Sequence, residues 1–370
     1  MKKVLKYGVI ASLCFMAAGL VFLGIGLLSG GTISYVLDLE EHKVITRDSE
    51  EAKYVEKTLD VDAFSKLQLN ANTADVKIQR GEKYQVSYCM QEADAPSVEV
   101  KDQKLMINGK DYGSFRMNIR FEFFQWELPF DESKKDSIIV TIPENAEISE
   151  AGIKVEAGEI QLENVKFETA DIHADYGDIE ISDFISNHAE ISENSGDITL
   201  KNVQMKESNI TNEYGKITVE KGSGEKAVLT LNSGNCSIND MELDDLQVSN
   251  EYGDIEIANS TADTSKIDSD SGAIRIENCK GEKTELEAEY GDVAIVKSAL
   301  EHIQATCDSG TVDIDLLGKI SEYDLNLAAD CGEININGEE NSGKYKNVSN
   351  REKSIDVKNE YGDIRVSTKE

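Results

Sequence analysis

A short phrase that returns at a fixed period constrains this chain more than any other feature. Asp-Tyr-Gly-Asp-Ile-Glu-Ile ends at Ile181, and Asn-Ser-Gly-Asp-Ile-Thr-Leu ends at Leu200. The glycines of this phrase, Gly158, Gly177, Gly196, Gly215, Gly234, Gly253, Gly272, Gly291 and Gly310, stand 19 residues apart. Two further phrases follow at wider spacing, around Gly332 and Gly362. A period of this length over so many copies is the mark of a solenoid.

Two residues after the glycines stand Ile160, Ile179, Ile198, Ile217, Cys236 and Ile255, and four after them Leu162, Ile181, Leu200, Val219, Ile238 and Ile257. The residue between is mostly polar, as at Glu180, Thr199 and Glu256. Alternation of period two with β-branched residues predicts a strand with one buried face. A second apolar column, Ile172, Ile191, Ile210, Leu229, Val248, Ile267 and Leu286, comes late in each repeat. At least two short strands per repeat, recurring in the same register, predict an all-β parallel β-helix of about 19 residues per coil. Glycine serves a turn that needs positive φ. Proline occurs only at Pro96, Pro129 and Pro143, outside the repeats, where it removes no ladder hydrogen bond.

The residue before each glycine alternates: Tyr176, Ser195, Tyr214, Ser233, Tyr252, Ser271, Tyr290, Ser309. If one repeat makes one coil, rings and hydroxyls share a column and alternate along it. If one coil spans two repeats, tyrosines and serines occupy separate corners. Duplication of a double unit gives the same pattern.

At the start of the chain, Lys2, Lys3 and Lys6 precede an uncharged run from Tyr7 to Leu37. Its apolar part, through Leu28, is long enough for a membrane-spanning helix of about 20 residues. Basic residues before it and Asp38, Glu40 and Glu41 after it predict a single pass with the N-terminus inside. A cleaved signal peptide is the rival reading, although no small-x-small site follows the apolar core convincingly. Gly26 and Gly30 form a GxxxG spacing, which also fits a merely glycine-rich anchor. Residues 1–30 therefore read as cytoplasmic start and anchor, and 31–60 as a juxtamembrane linker. Residues 61–150 read as irregular first coils that cover the open end, and 151–370 as the regular stack, its charged tail discouraging end-to-end pairing. Within the first coils, residues 111–136 form an aromatic insertion with Phe121, Phe123, Phe124 and Trp126 at its centre. It reads either as a hairpin plugging the solenoid or as a partner contact.

The formal charge of −33 argues against nucleic acid as a direct partner. Acids fall in columns two residues before and one after the glycines, among them Asp175, Asp178, Glu251, Asp254, Glu289 and Asp292. Stacked carboxylates repel, and a hard divalent cation such as Ca2+ relieves that repulsion. The alternative is a solvated, screened face of turn-forming Asp and Asn. The cysteines, Cys14, Cys89, Cys236, Cys279, Cys307 and Cys331, match no zinc motif. Cys236 reads as a buried thiol, while Cys307 and Cys331, near one corner of consecutive coils, suggest a pair under oxidising conditions. His42, His173, His188 and His302 share no repeat position, and no GxSxG, HExxH or P-loop occurs. Neither a catalytic constellation nor a cofactor site emerges.

The glycine-rich apolar start, Ala74-Asp-Val-Lys-Ile, Ile138-Ile-Val-Thr-Ile-Pro and the iterated Ser-Gly-Asp-Ile and Tyr-Gly-Asp-Ile phrases resemble a bacterial family of unknown function. That family is labelled "putative adhesin" and includes LiaG-like envelope-stress proteins. The resemblance covers about residues 60–370 and implies a β-helix on the outer face of a Gram-positive-type membrane, with no catalytic residues to carry over. The expected protein is a membrane-anchored, non-catalytic module for adhesion, binding or scaffolding, meeting an envelope protein or cell-wall polysaccharide. A polysaccharide-acting enzyme and a structural spacer are the alternatives.

Overall fold

The computed structural model describes residues 35–38, 43–46, 54–110 and 135–369. They belong to two units. The smaller contributes one antiparallel pair, Tyr35–Asp38 with Lys43–Thr46. The larger is the solenoid, in which all regular structure is strand apart from the single 3-10 turns Glu92–Asp94 and Ile320–Glu322. Among the described residues no helix is long and apolar enough to cross a membrane. The expected anchor, residues 1–30, and the aromatic residues Phe121, Phe123, Phe124 and Trp126 lie outside the described residues.

One repeat makes one coil. Ile179 pairs with Ile198, Ile198 with Ile217, and Ile217 with Cys236, all in parallel and all 19 residues apart. Both apolar columns point inward: Ile179, Ile198, Ile217, Ile255, Ile172 and Ile191 are fully buried. Each coil turns at three corners, two of which use a positive φ and the third an exposed pair such as Asn187-His188. One corner is the glycine, at φ 149° for Gly215, where a Cβ would run into the carbonyl oxygen of Gly196 one coil below. A second corner, which the sequence reading missed, is a positive-φ column of Asn164, Asp183, Asn202, Lys221, Asp240, Asn259, Asn278 and Lys297. Asn and Asp tolerate that conformation better than β-branched residues do, which explains their dominance here.

The ends break the order. At the C-terminal end, Lys353–Tyr361 is inserted between Val293–Ser309 and Tyr323–Ile336, parallel to both. The coil latest in sequence is therefore not the last in space. The segment Glu339–Asn347 is a strand, antiparallel on Tyr323–Ile336. Within the stretch read as regular stack, this segment therefore adds an antiparallel edge in place of a further parallel coil. The stack is closed by an antiparallel edge whose residues are mostly exposed and polar, which is why no hydrophobic signature announced it.

The N-terminal end uses the same device. Lys66–Ala71 lies between Ile148–Ala157 and Lys104–Asn108, and Asp75–Gly81 lies between Ile160–Glu163 and Ser137–Pro143. Antiparallel strands Ser97–Lys101 and Gln85–Gln91 then cover this outer coil. Tyr54–Asp60 also joins the sheet, so the solenoid begins inside the stretch expected to be linker.

The inserted coil settles the cysteines as well. Cys307 pairs in register with Asn359, whereas Cys331 pairs with Tyr361. A whole coil separates them, about 9.6 Å for two strand spacings, beyond the roughly 7 Å that a disulfide spans between Cα atoms. Cys89, Cys236, Cys279, Cys307 and Cys331 are all free, which corrects the suggested pair. Burial pushes the Cys236 thiol up to about 12, as expected of an inert core residue.

Candidate functional site

The glycine corner is the most regular surface of the molecule, and backbone chemistry builds it. The residue after the glycine is often an Asp or Asn whose carbonyl-type oxygen accepts the backbone N–H of the equivalent residue one coil on. Asp178 Oδ1 accepts from Asp197 N at 2.9 Å, Asn235 Oδ1 from Asp254 N at 3.0 Å, and Asp254 Oδ1 from Ala273 N at 2.9 Å. Asp292 Oδ1 accepts from Thr311 N at 2.7 Å. At this turn the ladder leaves an N–H over, and the side chain satisfies it. One of the two acidic columns seen in the sequence is thus structural.

Three residues before the glycine lies an inward column that the sequence reading overlooked: Ala174, Glu193, Asn212, Leu231, Asn250, Ser269, Ala288, Cys307 and Asn359. Asn250 Nδ2 donates to the carbonyls of Gly234 and Gly253, both at 2.9 Å. Asn212 donates to Gly196 O and Asn359 to Gly310 O. Each clamps a tyrosine-bearing corner onto the serine-bearing corner beneath it. A signal was available, because Asn-Glu-Tyr-Gly recurs at Asn212, Asn250 and Asn359. Glu193 is buried in the same column, with Oε1 accepting Ser195 N at 2.9 Å. Burial, reinforced by Asp178 and Asp175, pushes its carboxyl up to about 7.

With the corner fixed, the residue before the glycine points to solvent. Tyr176, Ser195, Tyr214, Ser233, Tyr252, Ser271, Tyr290 and Ser309 form one column in register, and Tyr361 follows Ser309. The alternation therefore continues through the inserted coil in space, although the sequence order is broken there. Each of the five tyrosines is 61–65% exposed. Large apolar residues held this far out of the core in a regular row are unusual for a structural face.

A carboxylate precedes every tyrosine: Asp175, Glu213, Glu251, Glu289 and Glu360. Asp175 Oδ1 accepts from Asn194 Nδ2 at 2.7 Å and lies 3.0 Å from His173 Nε2. Glu213, Glu251, Glu289 and Glu360 are exposed and pair with no lysine or arginine among the described residues. Basic side chains are used on other faces, between successive coils: Lys206 with Glu225 at 3.4 Å and Lys226 with Asp245 at 3.4 Å.

Of the six residues considered for a cation, Asp178, Asp254 and Asp292 each have one oxygen committed to a backbone N–H. Asp175 is engaged by Asn194 and His173, whereas Glu251 and Glu289 flank the tyrosines. No group of three His, Cys, Asp or Glu suited to a metal comes together among the described residues. A small, partly open pocket of about 20 Å³ among Met241, Leu246, Ile257, Ser260, Cys279 and Leu300 has room for about one water.

Solved structures similar to this chain include a "putative adhesin" from Bacteroides fragilis, 16% identical, covering 66% of this chain and 97% of that one at a TM-score of 0.39. A "putative adhesin" from Parabacteroides merdae is 13% identical, covering 67% and 98% at a TM-score of 0.45. A "putative cell adhesion protein" from Clostridium sporogenes is 14% identical, covering 86% and 100% at a TM-score of 0.19. No curated protein matches the chain. The family model described as Toastrack DUF4097 matches residues 64–235 and again 225–367, which together take in the solenoid almost from end to end. The chain belongs to the Toastrack DUF4097 family.

Proposed function

We propose that this protein is a non-catalytic display module of the cell envelope, anchored by its N-terminal apolar segment, with the solenoid on the outer side. The observation that carries this reading is the tyrosine column: five rings, 61–65% exposed, alternate strictly with serine above an inward column that includes three buried asparagine clamps. A rigid, unbroken core fixes the spacing of those rings, and fixed spacing suits a ligand that is itself linear and repetitive. The basic start before the apolar segment supports the orientation, and the label "putative adhesin" on similar structures agrees with a binding role.

The test has two parts. Protease added to intact cells expressing the full chain is expected to remove the solenoid, and protection until the membrane is opened would refute the outward orientation. Binding of the purified full chain to isolated envelopes is expected to fall in a Tyr214→Ser, Tyr252→Ser, Tyr290→Ser variant with unchanged melting. Undiminished binding by that variant would remove the tyrosine column from the function.

A further inference from the structure

The tyrosine column has a period and a charge, and together they point to a class of partner. Rings on every second rung lie about 9.6 Å apart, twice an interstrand distance of about 4.8 Å. A polyproline II helix has three residues per turn and rises about 3.1 Å per residue, so every third side chain returns to one face after about 9.3 Å. The two lattices stay in step along the whole column within the reach of side-chain rotamers. An extended β-strand fails this match, because residues three apart project to opposite faces.

The charge selects the side chain. Glu213, Glu251, Glu289 and Glu360 stand beside four of the rings, are exposed, and have no cationic partner among the described residues. Lys201, Lys206 and Lys226 are held on other faces by Glu220, Glu225 and Asp245. A ring face next to an uncompensated carboxylate recognises an ammonium or guanidinium group, through cation–π attraction and ion pairing at once. Serine on the intervening rungs leaves a gap between successive rings, which gives each basic side chain a separate seat. The overall charge of −33 draws polycations in and repels anionic glycans.

We propose that the tyrosine column docks a basic peptide segment in the polyproline II conformation, with lysine or arginine at every third position. This names a partner class for the display surface proposed above and rests on that reading. The mode is the familiar one of an extended, preorganised helix on a row of aromatic side chains, here made periodic by the fold.

The experiment uses the full chain and four probes. These are a peptide of five Lys-Pro-Pro triplets, a five-fold Glu-Pro-Pro peptide, a peptide of the first composition with its lysines bunched at one end, and a neutral β-1,4-linked glucose hexamer. Binding is followed by calorimetric titration at low and high salt. The Lys-Pro-Pro peptide is expected to bind, the Glu-Pro-Pro peptide not to bind, and the bunched peptide to bind about tenfold more weakly. The Tyr214→Ser, Tyr252→Ser, Tyr290→Ser variant is expected to lose about tenfold or more. It should fold normally, since serine already occupies this column at Ser195, Ser233, Ser271 and Ser309. Glu213→Gln, Glu251→Gln, Glu289→Gln is expected to flatten the salt dependence. Equal binding of regular and bunched peptides would overturn the register match. Tyrosine-dependent, salt-independent binding of the glucose hexamer would overturn the basic-peptide assignment while leaving the display surface standing. No tyrosine-dependent binding of any probe, with envelope binding still lost in the serine variant, would also overturn the assignment alone. Failure of both would sink the display reading with it.

Discussion

In the middle of the stack, from Lys166 to Ser309, coils follow one another along the axis in the order of the chain; at the two ends they do not. The middle coils are near-copies, each burying the same two columns against copies of itself. The end coils bury similar residues, yet the chain runs out, turns, and comes back to fill the place it skipped. A stack built only of parallel coils would leave a complete row of unpaired N–H and C=O groups at each end. Stepping past a position and returning places antiparallel strands at the rim, and Glu339–Asn347 shows how such a rim is kept polar and exposed. The middle is thus a problem of repetition and the ends a problem of termination.

The largest expected effect lies in the middle. Ile255 is fully buried, so Ile255→Asp places an unpaired carboxylate in a dry column and should cost more than about 4 kcal/mol. The matching change at the rim, Ile336→Asp, falls on a half-buried residue and should cost roughly half as much or less. Denaturant unfolding of both variants checks the pair, and equal losses would erase the distinction between middle and end.

Glu193 provides the next effect. Its native pKa of about 7 lies above the usual glutamate value, so folding favours the protonated form. The contribution of Glu193 to stability is therefore fully present below about pH 4.5 and is lost as pH rises toward 7, by about 3 kcal/mol in all. Glu193→Gln should remove that loss and make the variant more stable than the parent at pH 8. Identical pH profiles of melting temperature for the two proteins would locate the sensitivity elsewhere.

Glycine separates the regions more finely. Gly215→Ala sets a Cβ against the Gly196 carbonyl at positive φ and should cost about 2–3 kcal/mol. Gly338, in the turn before the capping strand, has φ 88°, but no atom lies within 4 Å of the place a Cβ would take. Gly338→Ala should therefore cost only about 1 kcal/mol. Thermal melting of the two variants checks the difference, and equal losses would mean that backbone strain, not the crowded corner, sets the cost. The smallest effect belongs to the exposed column: Tyr214→Ser should change stability by no more than about 0.5 kcal/mol. A larger loss would mean that the rings support the fold rather than face a partner.

Much of this molecule was legible in its sequence. The 19-residue spacing, the Ile and Leu columns and the glycine corner specify the coil, because in a solenoid each repeat meets only copies of itself and local pattern becomes packing directly. The tyrosine–serine alternation was equally visible. The clamp beneath it was not read, although Asn212, Asn250 and Asn359 repeat, because an Asn between polar neighbours looks like turn chemistry until its Nδ2 is seen to meet glycine carbonyls. The Asp column looked like a charged face for a related reason: only the backbone of the next coil shows where its oxygens are spent.

The sequence by itself determined the coil, its period and its inside and outside, since these follow from side-chain alternation and from the one residue that fits a crowded positive-φ corner. The tertiary structure alone decided that the tyrosine–serine edge runs on through the inserted coil, where Tyr361 follows Ser309. It also decided that the last coil in the chain is not the last in space, and that Cys307 and Cys331 lie too far apart to bond. The physical reason is the same in each case. Strand order is a contest between backbone edges for partners, and that contest is settled by where hydrogen-bonding groups would otherwise be left open, which no local pattern records.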